Sequence, residues 1–118
     1  MTERERLRTQ YMEGWYQMDA DMLVSAVVPG FEFHDPAEPE IVTRNTLPAY
    51  MVRWDDRTRL MGSNNEWLLT DTVRQDSDGV LIDWEYWKLL GTDLEGMALV
   101  KTTDEGVCIE KICYMPPR

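Results

Sequence analysis

The sequence predicts an α+β fold, three N-terminal helices packed on a curved, cone-like antiparallel sheet. Three observations predict it. Apolar residues recur every three or four positions through most of the first half and every second position from residue 66 onward. Two turn clusters, Asp76-Ser-Asp-Gly79 and Asp104-Glu-Gly106, cut the second half into strand-length pieces. A chain of 118 residues suits one domain with its own core, so residues 1–118 are expected to form a single unit.

Each element has its own signal. Leu7, Tyr11, Trp15 and Met18 form an apolar stripe on a helix over roughly residues 3–18. Asp19 is placed to cap a second helix, about 20–28, which Pro29-Gly30 should end. Phe31-Glu-Phe-His-Asp35 alternates like a strand and stops before Pro36. Residues 37–43 read as a loop. Asn45 or Thr46 caps a third helix with Pro48 in its first turn, and Gly62 follows its end. Leu47, Tyr50, Met51, Trp54 and Met61 lie along one side of it. Strands follow over 66–75, 80–90, 94–103 and 107–114, a four-strand meander.

Composition narrows the partners. Twenty-two acids against twelve bases leave a net charge of −10, and the basic residues are scattered. Phosphate neutralisation needs clustered Lys and Arg, so neither nucleic acid nor an anionic membrane is an expected partner. No apolar run approaches the roughly 20 residues of a membrane span, and the charged start of the chain resembles no secretory signal. Cys108 and Cys113 fall on opposite faces of one strand, about 16 Å apart, too far for a disulfide. Two free thiols point to a reducing, cytoplasmic setting. No cofactor fingerprint or metal-ligand spacing is present, so no cofactor and no metal are expected.

The order of elements carries a resemblance. A helix with Trp15, then Asp19-Ala-Asp21-Met-Leu, then Phe31-Glu-Phe-His-Asp35-Pro36, resembles the start of the nuclear-transport-factor-2-like superfamily. Leu94-Glu-Gly96 and the strand entry after Asp104-Glu-Gly106 are similar to its closing hairpin. That superfamily is the cystatin-like α+β barrel of ketosteroid isomerases and SnoaL-like cyclases. The resemblance implies a pocket for an apolar ligand, and a homodimer formed through the sheet. In ketosteroid isomerases the Asp of an Asp-Pro pair shuttles a proton next to a carbonyl, and a tyrosine donates to the developing oxyanion. Gapless alignment from the first helix puts the base on Asp35 and the donor on Tyr11. The second donor of those enzymes falls on Ala98, which cannot donate.

The residues themselves leave other roles open. Asp35 before proline also fits a turn former that binds nearby backbone N–H groups. Tyr11 also fits a core tyrosine. His34, the single histidine, should point away from Asp35 by strand alternation. Asp35, Glu38 and Glu40 read as a solvated acidic loop. In the 80–90 strand one face carries Trp84 and Tyr86, the other Asp83, Glu85 and Trp87. Either face could meet the core or pocket while the other meets a partner subunit. The expected ligand-lining set is Trp15, Tyr50, Trp54, Trp84, Tyr86 and Ala98. Two functions follow: a small cofactor-free isomerase-, cyclase- or dehydratase-like enzyme with Asp35 as base, or a non-catalytic ligand-binding or dimerisation module.

Overall fold

The computed structural model describes residues 1–116. Helix α1 spans Glu3–Gln17, α2 Ala20–Ser25 and α3 Leu47–Leu60. The strands are β1 Val27–His34, β2 Val42–Thr43, β3 Trp67–Ser77, β4 Val80–Leu89, β5 Glu95–Thr103 and β6 Gly106–Tyr114. They form one sheet in the order β2-β1-β6-β5-β4-β3, open at both edges.

Helix starts follow their caps. Thr2 and Glu5 make a reciprocal capping box at α1, and the Asp19 carboxylate accepts from the Met22 N–H at α2. Thr46 precedes α3 without capping it, because its hydroxyl turns back to accept from the Thr43 N–H at 2.8 Å.

Four expectations are corrected. Helix α2 stops at Ser25, and the Pro29-Gly30 pair sits inside β1. The β1–β6 ladder is irregular between Val27 and Glu32, so proline's missing N–H breaks no regular pairing there. The sheet is mixed, since β1 runs parallel to β6. After β1 the chain crosses through α3 to the far edge and walks back through four antiparallel strands, which delivers β6 pointing the same way as β1. Helix α3 lies between strands, as the strand read ahead of it at Phe31–Asp35 implies. Met61 caps the end of α3 and is half exposed instead of joining the core. The loop expected over 37–43 also contributes the short strand β2.

The core lies between the helices and the sheet's inner face, with Tyr11, Leu23, Phe31, Leu47 and Tyr50 almost fully buried. Register sorts that inner face into cross-strand rows. One runs Phe33, Glu110, Val100, Asp83 and Arg74. The next runs Ile112, Ala98 and Glu85. The third runs Tyr114, Gly96, Trp87 and Leu69. Carboxylates therefore enter the first two rows, and aromatics fill the third. Gly96 is required where it stands: a Cβ there would come within 2.0 Å of the Cys113 carbonyl oxygen and 2.7 Å of the Trp87 ring.

Candidate functional site

Helices and sheet leave a cavity of about 620 Å³, counting its open mouth. Its walls are mainly apolar. Trp54, Trp67 and Trp87 form one end, with Trp54 and Trp67 stacked at 5.7 Å and Trp87 meeting Trp67 edge-on at 5.5 Å. The Trp87 indole N–H has no oxygen or nitrogen partner; the rings of Trp54, Trp67 and Tyr114 surround it at steep angles. Asn65 holds this wall: its Oδ1 accepts from the Trp67 indole at 3.1 Å, and its amide donates to the Trp15 and Tyr16 carbonyls at the end of α1.

Polar groups gather toward the other rows. Arg8, Tyr11, Glu85 and Glu110 all line the cavity. The Tyr11 hydroxyl donates to Glu110 Oε1 at 2.6 Å. Arg8 is 3% exposed; its Nε donates to Asp83 Oδ2 at 3.0 Å and its Nη2 to Glu85 Oε1 at 2.5 Å. Arg74, reaching over from β3, donates twice more to Asp83, at 2.7 and 3.1 Å. Two guanidinium groups thus balance two carboxylates, and Glu110 is a third carboxyl without a cation of its own.

The electrostatics follow. Burial pushes the Glu110 carboxyl up to about 7, against the opposing pull of the Tyr11 hydrogen bond and the Arg8 charge. Burial also raises Glu85, with Arg8 restraining it. Tyr11 is held well above the ordinary tyrosine range by burial first and the Glu110 charge second, so it stays a neutral O–H donor. At neutral pH Glu110 is therefore divided between acid and carboxylate, facing an apolar space.

Of the expected lining residues, Trp15, Tyr50, Trp54 and Ala98 line the cavity. Trp84 and Tyr86 do not. They stand on the outer face of the sheet, 45% and 39% exposed, because the Leu81-Asp83-Glu85-Trp87 phase of β4 is the buried one. Tyr11 reaches the cavity, but its O–H is committed to Glu110 and so is not a free oxyanion donor.

Asp35 is buried outside the cavity lining. Its Oδ2 accepts from the Tyr50 hydroxyl at 2.7 Å and the Tyr114 hydroxyl at 3.0 Å, and its Oδ1 from the Ala37 N–H at 2.9 Å. Arg57 lies 3.7 Å away. Three donors and a nearby guanidinium surround the Asp35 carboxyl, and the bond from the Ala37 N–H is the turn-forming one. His34 points away from it and pairs with Glu32 at 2.9 Å. Glu38 is held by Arg53 and Arg57, and Glu40 is exposed. Among the described residues no three His, Cys, Asp or Glu side chains group as metal ligands.

Arg8, Glu110 and Trp67 escaped the sequence reading. Two of them left a trace. Arg8 interrupts the apolar stripe between Leu7 and Tyr11, and Glu110 is a lone acid inside the apolar run Val107-Cys-Ile-Glu-Lys-Ile.

No family model matches the sequence, and no curated protein is similar to it. Solved structures are similar in shape. A Methylobium petroleophilum protein of unknown function superposes with a TM-score of 0.69 at 16% identity, over 98% of this chain and 78% of that one. Its fold is described as cystatin-like. This chain has that fold. A Xanthomonas campestris "putative polyketide cyclase" gives 0.62 at 19% identity, over 97% and 93% of the two chains. A Kribbella flavida "putative ketosteroid isomerase" gives 0.61 at 13%, over 98% and 80%. The cystatin-like fold is the one the nuclear-transport-factor-2-like superfamily uses, so the resemblance read from element order holds at the level of fold. No described helix is long and apolar enough to cross a membrane.

Proposed function

We propose that the cavity binds a flat, largely apolar carbonyl compound and that the protein moves a proton next to its carbonyl, in an isomerase-, cyclase- or dehydratase-like step that needs no cofactor. One observation carries the reading: Glu110, a carboxyl with a pKa of about 7, borders an apolar cavity and is oriented by a single tyrosine. As carboxylate, Glu110 takes the proton from the carbon beside the carbonyl. The C–H electrons form a C=C bond, and the carbonyl π electrons pass to oxygen, giving an enolate. As acid, Glu110 then returns the proton to a carbon of the enolate system. Tyr11 keeps Glu110 in place throughout and is a positioning residue.

The reading is tested without knowing the natural substrate. Deuterium exchange into the α-position of 2-tetralone, a flat aromatic ketone, is followed by NMR in D₂O. Exchange should exceed the buffer rate, rise with pH through about 7 as Glu110 becomes the carboxylate, and then level. Glu110→Gln should lower it by roughly 100-fold or more. Equal exchange by wild type and Glu110→Gln would overturn the assignment.

We also propose a homodimer through the outer sheet face. Trp84 and Tyr86 are exposed there beside the partly exposed Met97 and Leu99, an apolar patch that a second copy would cover. Sedimentation should find a dimer for wild type and a folded monomer for Trp84→Lys. A wild-type monomer at high concentration would overturn it.

A further inference from the structure

Arg8 holds more donors than its partners use. Nε serves Asp83 and Nη2 serves Glu85, whereas Nη1 donates to no group among the described residues. A guanidinium is a rigid planar fork, so fixing two nitrogens fixes the direction of the third. Arg8 lines the cavity beside Tyr11 and Glu110, and its Nη1 is not fully enclosed. Arg8 thus brings to the cavity wall a cationic N–H that no acceptor among the described residues uses.

With Glu110 protonated, the charges around the cavity balance. Arg8 and Arg74 together face Asp83 and Glu85, so neither guanidinium is overwhelmed by negative charge. When Glu110 takes a proton from a ketone, its own charge disappears as the enolate oxygen gains one. The total charge of the cavity does not change, and the new charge needs a donor where it appears.

We infer that Arg8 Nη1 is the oxygen-binding group of the cavity, and that its ligand class is a flat ketone or phenol whose single oxygen is bound as the enolate or phenolate. This rests on the reading of Glu110 as the proton carrier and adds the group that receives the oxygen.

The probes are 4-nitrophenol, whose phenolate form is visible by absorbance, and 4-nitrotoluene, of the same shape without the oxygen. Binding is measured by calorimetry for wild type and for the double variant Arg8→Gln, Glu85→Gln, in which Asp83 keeps Arg74 as its partner. Wild type should prefer the nitrophenol and hold it as the phenolate. The double variant should lose about 10- to 100-fold in affinity for it and the phenolate band with it, while nitrotoluene changes by less than about threefold. Should the double variant fail to fold, Arg8→Lys, a point charge without the fork, is read for the same contrast. An oxygen preference that survives the substitution, or equal loss of both probes, would overturn the inference and leave the cavity reading standing. Failure of wild type to bind either probe would overturn both.

Discussion

Asp35, buried, and Glu110, half-buried, are both carboxyls held by tyrosine hydroxyls, and they have opposite characters. Asp35 receives two tyrosines, a backbone N–H and a nearby guanidinium, and lies outside the cavity lining. Glu110 receives one tyrosine and borders the cavity. The difference teaches that burial alone does not make a carboxyl reactive. A carboxyl with three donors and a guanidinium around it is a structural node. One left partly unfilled in an apolar space is poised to exchange a proton.

The largest expected effect lies at the filled node. Asp35→Ala leaves the buried Tyr50 hydroxyl and the half-buried Tyr114 hydroxyl without their acceptor and should destabilise by about 2–4 kcal/mol in urea unfolding. A loss under about 1 kcal/mol would erase the contrast.

The second effect has the opposite sign. The folded-state pKa of Glu110, about 7, lies above its ordinary value of 4.5. Between those values the folded state holds more protons than the unfolded one, so its contribution to stability is complete below about pH 4.5, falls as pH rises through 7, and then stays flat. Glu110→Gln should therefore be more stable than wild type at pH 8, by about 2–3 kcal/mol, and the gap should close toward pH 4. Unfolding curves across pH read this directly, and a gap independent of pH would contradict it.

The smallest effect sharpens the pair. Tyr50→Phe removes one of several donors to Asp35 and should cost about 1 kcal/mol of stability, with little change in α-proton exchange. Tyr11→Phe should cost a similar amount and also raise the pH at which exchange turns on, since the Tyr11 hydrogen bond lowers the Glu110 pKa. Identical exchange profiles for the two variants would remove the distinction between the sites.

Much of the fold was legible because it is written in local periodicity. Asp19 at its cap, Pro48 in a first turn and the strands around Asp76–Gly79 need only their neighbours. The parallel β1–β6 pairing was not, because it joins segments about 80 residues apart and no local pattern encodes it. The site divides in the same way. Tyr11, Trp15 and Tyr50 lie on helical stripes that had to face inward. Which phase of β4 faces inward depended on a partner for Asp83 and Glu85, and that partner is Arg8 from the other end of the chain. Glu110 left only a faint trace for a related reason: one acid in a strand reads as surface until register sets it beside Phe33 and Val100.

The most direct test of the central claim is a carbon-detected NMR titration of protein labelled at the glutamate side-chain carboxyls, with Glu110→Gln as the assignment control. The account predicts one carboxyl titrating near pH 7, absent from the variant. If the resonance lost in Glu110→Gln instead titrates in the ordinary glutamate range, Glu110 is a solvated carboxylate, and the cavity has no proton carrier.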